Sequence, residues 1–170
     1  MNGGNAEAFY TLGGYYTEGL YGTPQDHQKA FKLYVKAGQL GCATAYSCVG
    51  ASYYNGWGVE VDKEKAKHYY ELAAVMGYVA ARHSLASLEG QAGNHQRAKK
   101  HLIIAAKAGN KKSLDAIHAM YANDKLVSKD EYANTLRAYQ KRIDEMKSDM
   151  RDKAAQAMKD GTMWVALDSE

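Results

Sequence analysis

Ser47, His83 and Asp115 are the residue types of a nucleophilic triad, standing 36 and 32 residues apart in a chain of 170. In such a triad the histidine takes the serine proton and the acid orients the histidine, which requires contacts of about 2.6–3.2 Å. The stretch NGWGVEVDKEKA, residues 55–66, offers a different chemistry. Its two glycines could open a phosphate-cradling loop, provided a strand precedes it, a third glycine follows, and a helix N-terminus points at the anion. Residues 90–114 offer a third, since Arg97, Lys99, Lys100, Lys107, Lys111 and Lys112 stand there with no acid among them. That run could meet the phosphates of a nucleic acid.

The elements that carry these residues are repeated. Ala6, Leu12, Gly13, Tyr16 and Gly19 return 37 positions later as Ala43, Val49, Gly50, Tyr53 and Gly56. Asp26, Lys29, Ala30, Tyr34, Ala37 and Gly41 return 36 positions later as Asp62, Lys65, Ala66, Tyr70, Ala73 and Gly77. A shortened third copy keeps Ala81, Leu85, Ala98, Leu102 and Gly109, and a worn fourth begins at Ser113, Ile117 and Tyr121. Within each half the apolar residues recur at helical spacing, as in Ala8, Leu12, Tyr16 and Ala45, Val49, Tyr53. With one proline and little strand-like alternation, the chain reads as all-α: a right-handed α-solenoid of about four antiparallel helix pairs. The expected repeats cover residues 5–41, 42–77, 78–109 and 110–140 of a single domain, 5–160. Asp26 and Asp62 are placed to cap the second helices, and Gly41, Gly77 and Gly109 to end them.

This architecture weighs against each chemistry. Neighbouring packed helices lie about 8–10 Å apart, too far for Ser47, His83 and Asp115 to reach one another from equivalent positions. The 55–66 loop follows a helix instead of a strand, lacks a third glycine, and places the negative Asp62 where an anion would sit. It reads as structural punctuation. The lysines of 97–112 are dispersed around a second helix without interleaved aromatics, so nucleic-acid or phosphate binding through them is the alternative reading and not the leading one. A net charge of +3 does not announce a nucleic-acid partner. Neither an enzyme activity, a metal nor a cofactor is expected. Cys42 and Cys48, six apart, point to different sides of a helix, which fits a reducing compartment. The longest apolar run, 102–106, cannot cross a bilayer, and residues 1–10 lack the basic and apolar regions of a signal peptide. An intracellular location, cytoplasmic or nuclear, is expected.

The pattern at 43–77, A-x-A-x-x-x-V-G-x-x-Y-x-x-G-x-G-V-x-x-D-x-x-K-A-x-x-Y-x-x-x-A-A-x-x-G, resembles the Sel-one-like repeat, a relative of the tetratricopeptide repeat. The resemblance covers roughly residues 5–140, and repeats one, three and four depart from the pattern mainly in the loop. It implies an adaptor for protein complexes, without catalysis, that binds a protein or peptide on its concave face. Carrying the related tetratricopeptide positions across implies a partner-binding stripe of Glu7, Tyr10, Thr17, Thr44, Ser47, Tyr54, His83, Gln91, Lys112 and Asp115. Residues 89–101 and 128–155 also resemble a subgroup whose repeats often follow a RING-type zinc module. That implies the substrate-recruiting part of a ubiquitin-ligase-type protein, although two cysteines cannot supply such a module here.

Beyond the repeats, a long helix is expected over 128–159. Tyr132, Leu136, Tyr139, Ile143, Met146 and Met150 form a heptad-like seam on it. Leu136 and Tyr139 are expected to cap the array, leaving Ile143, Met146 and Met150 for weak homodimer contact. The tail, 161–170, carries Met163, Trp164, Val165 and Leu167 outside any repeat.

Overall fold

A computed structural model of the chain describes residues 3–123 and 126–160, so the 161–170 tail with its Met163, Trp164, Val165 and Leu167 lies outside the described residues. The described residues form eight helices and no strand: α1 (Gly3–Glu18), α2 (His27–Gln39), α3 (Ala43–Asn55), α4 (Lys63–Val75), α5 (Val79–Gln91), α6 (His95–Lys107), α7 (Lys111–Ala122) and α8 (Lys129–Lys159). The all-α helical solenoid read from the repeats is what the chain builds. It divides into two compact units, one running to Ala105 and the other starting at Ala106.

In the first unit the second helices α2 and α4 start and stop where local chemistry dictates. Asp26 and Asp62 adopt extended backbone, and their carboxylates accept from the Lys29 and Lys65 amides at 2.9 Å each. Such caps satisfy otherwise orphaned donors and contribute about 1 kcal/mol apiece. The second helices α2 and α4 are followed by Gly41 and Gly77, both at positive φ.

Packing between the helices is unusually small-residue rich. Tyr34, Ala37, Ala45 and Val49 form one buried cluster, and Tyr70, Ala73, Ala81 and Leu85 form its counterpart one repeat later. In the first two repeats a tyrosine lies on a glycine of the first helix: an added Cβ would stand 2.7 Å from the Tyr34 ring at Gly13 and 2.9 Å from the Tyr70 ring at Gly50. The glycines therefore set how closely a helix pair can approach. Burying a side chain such as Val49 or Leu85 contributes about 1.5–3 kcal/mol before entropy is subtracted.

Not every repeated apolar residue is buried. Val49 is fully buried, yet its counterpart Leu12 is 38% exposed and Ala8 is exposed as well. Val49 packs in the cluster with Ala30 and Tyr34 of α2, whereas no described helix precedes α1 to play that part.

The loop 55–62 makes a contact that the reading as punctuation did not include. Gly58, at φ +74, lies so close to the start of α2 that a Cβ there would collide with the His27 carbonyl and stand 2.7 Å from the Gln28 nitrogen. Trp57 stacks on the His27 ring at 6.1 Å between centroids. The loop thus ties the second repeat to the first.

In the second unit, Ser128 and Glu131 form a reciprocal capping box at the start of α8. Val127, Ile117 and Leu114 are buried there, and Tyr132 stacks on Tyr121 at 4.8 Å. The register of α8 differs from the expected seam. Thr135 is the fully buried residue, while Leu136 is 41% exposed. At about 100° per residue, Thr135 and Leu136 stand roughly 60° and 40° to either side of Tyr132 around the helix, and it is the Thr135 side that is buried. Coverage also extends further than expected: Ile143 and Met146 lie against the turn at Gly109, within 3.8 Å of where its Cβ would be.

Candidate functional site

Of the ten stripe residues, eight belong to the first unit, on α1, α3 and α5. Glu7 and Gln91 are exposed, and Thr44, Ser47, Tyr54 and His83 are half-buried. Two others are partly consumed by packing. Tyr10 leans on the Tyr34 ring at 5.9 Å, and burial raises its phenol pKa. Thr17 donates to the Gly13 carbonyl at 2.9 Å and shares a 2.9 Å hydrogen bond with the Tyr34 hydroxyl. In the second unit Lys112 and Asp115 are exposed on α7, and Asp115 forms an ion pair with Lys111 one turn earlier.

The structure brings part of the stripe together around two cavities. The first, about 210 Å³, is lined by Thr17, Glu18, His27, Tyr34, Cys48 and Trp57, among others. The second, about 280 Å³, is lined by Tyr54, Asn55, Tyr70, His83, Ser84 and Ser87. They occupy the same place in successive repeats. Thr17 and Glu18 correspond to Tyr54 and Asn55, 37 later; Tyr34, Cys48 and Ala51 correspond to Tyr70, Ser84 and Ser87, 36 later. Each cavity thus opens between consecutive first helices, with the repeat's buried tyrosine in its wall. The tyrosine is kept while the surrounding residues change type.

The electrostatics of the two differ. Glu18 is the one carboxylate lining the first cavity, and the second is lined by neutral hydrogen-bonding groups together with His83. Burial pushes the Tyr34 hydroxyl up to about 12, against the smaller opposing effect of its bond to Thr17. Burial likewise raises Tyr70, partly offset by its bond to Ser84, and pushes the Cys48 thiol up to about 11. All three are neutral near pH 7, so Cys48 is a poor nucleophile there. Gln91 donates from Nε2 to the Tyr54 hydroxyl and fixes the rim of the second cavity.

Sequence reasoning singled out Thr17, Tyr54 and His83 of these linings and missed Glu18, Asn55, Trp57, Ser84 and Ser87. The signal was present: these residues align between copies yet differ in type, in the same way as their stripe neighbours. Ser47 and His83 belong to the first unit and Asp115 to the second. His83 lines a cavity with Tyr54 and Ser84, Ser47 is not part of that lining, and Asp115 is engaged by Lys111. Along 97–112, Arg97 and Lys100 are exposed on α6 beside the buried Ala98 and Leu102, and Lys111 is held by Asp115.

A further polar feature is structural. Glu89, 4% exposed, pairs with Lys67 at 2.8 Å and accepts from Asn94 at 2.9 Å, joining α4, α5 and the turn before α6. The Lys67 ammonium is the main cause holding the Glu89 carboxyl below its ordinary range. Cys42 and Cys48 are unpaired thiols. No helix among the described residues is long and apolar enough to cross a membrane.

Antiparallel helix pairs at a period near 36, capped and packed alike in successive copies, define a helical-repeat scaffold. A family model for the Sel1 repeat matches residues 6–42, 45–78 and 79–110, and the chain belongs to the Sel1 repeat family. The chain is 38% identical over 68 residues to an uncharacterized protein of Neisseria meningitidis serogroup B, covering 40% of this chain and 15% of that protein. It is 30% identical over 117 residues to chitin synthase regulatory factor 3 of Schizosaccharomyces pombe, covering 68% of this chain and 13% of that protein. The chain therefore spans only a small part of the curated relatives it matches. Among solved structures it is similar to c5321, a protective antigen of uropathogenic Escherichia coli strains with an SLR fold. The TM-score is 0.68 at 29% identity, over 84% of this chain and 31% of that one. A Sel1 repeat protein from Oxalobacter formigenes shares the fold at a TM-score of 0.67 and 24% identity, over 80% of this chain and 58% of that one. Sel1 repeats generally form non-catalytic scaffolds for protein–protein interaction.

Proposed function

We propose that this chain is a binding module for a protein or peptide partner, that it has no catalytic activity of its own, and that the face of its first helices carries the contact. The observation that supports this reading is the recurrence of one cavity at successive junctions, with its packing tyrosine constant and its rim variable. A frame that repeats while its rim changes is what a modular recognition surface requires, since the constant part holds the spacing and the variable part selects the ligand. One relative is by its name a regulatory factor of an enzyme, which fits a scaffold acting on a catalyst. The resemblance of 89–101 and 128–155 to RING-associated repeats favours an intracellular, substrate-recruiting role in a ubiquitin-ligase-type protein. Weak self-association through Ile143, Met146 and Met150 now rests mainly on Met150, which is 68% exposed.

The test is a folded double variant, Tyr54→Ala with His83→Ala, compared with the parent in affinity capture from a native extract. Partner capture should fall by about tenfold or more if these positions are binding anchors. Unchanged capture by the folded variant would remove the first-helix face from the reading. For the ligase role, ubiquitin transfer to a captured partner should depend on residues 5–140; transfer that survives their deletion would exclude it.

A further inference from the structure

We propose that the two equivalent cavities read one extended peptide, taking a basic side chain in the cavity of Glu18 and Trp57 and a neutral hydrogen-bonding side chain, three residues away, in the cavity of Tyr54 and Ser87. This rests on the reading of the first-helix face as the binding surface and names the ligand chemistry that face would select.

Charge separates the two sites. The first cavity is lined by the Glu18 carboxylate together with the half-exposed Trp57 ring and the methyl of Ala30. Arginine and lysine suit that combination, because their stems lie on apolar surface while the charged head seeks a carboxylate. At the equivalent place in the second cavity Asn55 replaces Glu18, and Ser84 and Ser87 replace Cys48 and Ala51. That lining has donors and acceptors and no carboxylate, which suits an amide or hydroxyl side chain. The wall also differs: the second cavity is lined by no residue of a Trp57-like loop, since that loop shrinks to AGN, residues 92–94, in the third repeat.

Spacing links the two sites. The cavities are one repeat apart on successive first helices, so a helix-to-helix distance of about 8–10 Å sets the scale of their spacing. An extended strand turns residues i and i+3 to opposite faces. A polyproline II segment has three residues per turn and rises about 3.1 Å per residue, so i and i+3 share one face about 9.3 Å apart. The occupant is therefore a polyproline-II-like segment with a basic residue three positions from a neutral polar one, and the direction along the face is left to the peptide.

The test uses fluorescein-labelled synthetic peptides and anisotropy. The probe contains Arg-Pro-Pro-Gln in a proline background; its controls are Glu-Pro-Pro-Gln and the respaced Arg-Pro-Pro-Pro-Gln. The probe should bind at least about fivefold more tightly than either control. Glu18→Lys, on an exposed helix end, should reverse the order of the Arg and Glu peptides, an inversion that a merely structural role for Glu18 would not produce. Equal binding of the three peptides, an absence of binding at millimolar peptide, or an unchanged order in Glu18→Lys would each overturn the proposal. The underlying reading fails separately, when the folded Tyr54→Ala, His83→Ala variant keeps its partner capture unchanged.

Discussion

Gly22 and Gly58 occupy the same place in successive repeats, four residues before the caps Asp26 and Asp62, and have nearly the same backbone, φ +76 and +74. Their surroundings differ completely. Nothing lies within 4 Å of where a Cβ would stand at Gly22, whereas at Gly58 that space holds the backbone of His27 and Gln28. Alanine at either site must adopt left-handed backbone, a cost of about 1–2 kcal/mol, partly offset by the lower freedom of the unfolded chain. Gly22→Ala should therefore lose about 1 kcal/mol. At Gly58 the new methyl meets main chain that cannot rotate away, adding about 1–3 kcal/mol of overpacking. The difference of about 2 kcal/mol should appear as a gap of roughly 4–8 °C between the melting points of the two variants. Urea unfolding followed by far-UV circular dichroism gives the free energies, and amide exchange at Gln28–Ala30 reports whether the loss is local, since repeat arrays can open in parts. Equal destabilisation by the two alanines, within about 0.5 kcal/mol, would refute the docking of the loop on α2.

The Lys67–Glu89 pair makes a pH prediction. A carboxyl held below its ordinary range in the fold stabilises above its unfolded pKa and loses that contribution as pH falls through the folded value. Acid unfolding should therefore be steeper in the parent than in Glu89→Gln below about pH 4.3; parallel curves would contradict this. In the second unit, Thr135→Gln should cost at least about 2 kcal/mol because the site is closed, and Leu136→Gln no more than about 0.5 kcal/mol. The reverse order in thermal melts would place the buried face of α8 one residue on. A chain ending at Gln140 lacks Ile143 and Met146 against the Gly109 turn and should melt below one ending at Arg151; identical melting of the two would deny that contact.

Much of this fold could be read from local pattern. Asp26 and Asp62 announce themselves as caps because an N-cap needs only a short acceptor three residues before the amide it serves. Tyr34 and Tyr70 stand out by their recurrence 36 residues apart, and both are buried. What escaped was non-local. The contact of Gly58 with His27 joins residues 31 apart, and no propensity encodes it. Leu12 and Val49 have the same place in the pattern and different burial, because a pattern states which face is apolar and not whether another helix covers it. On α8 both Thr135 and Leu136 satisfy a helical stripe, and residue type alone points to Leu136; the hydroxyl of Thr135 is instead satisfied within the helix by the Glu131 carbonyl at 2.7 Å, which lets it be buried. The stripe residues were visible as variable positions, but the cavities needed the packing of successive first helices, which puts Glu18 and Cys48 in one lining and Asn55 and Ser84 in the next.

Site-specific photo-cross-linking tests the first-helix face most directly. A benzophenone side chain placed at the exposed Ser87, beside the second cavity, is compared with the same group at the exposed Lys32 and Glu71 on second helices. In a native extract, one defined protein adduct should form from Ser87 and be absent from Lys32 and Glu71. The same adduct arising from Lys32 or Glu71 and not from Ser87 would contradict a scaffold that binds through its first helices.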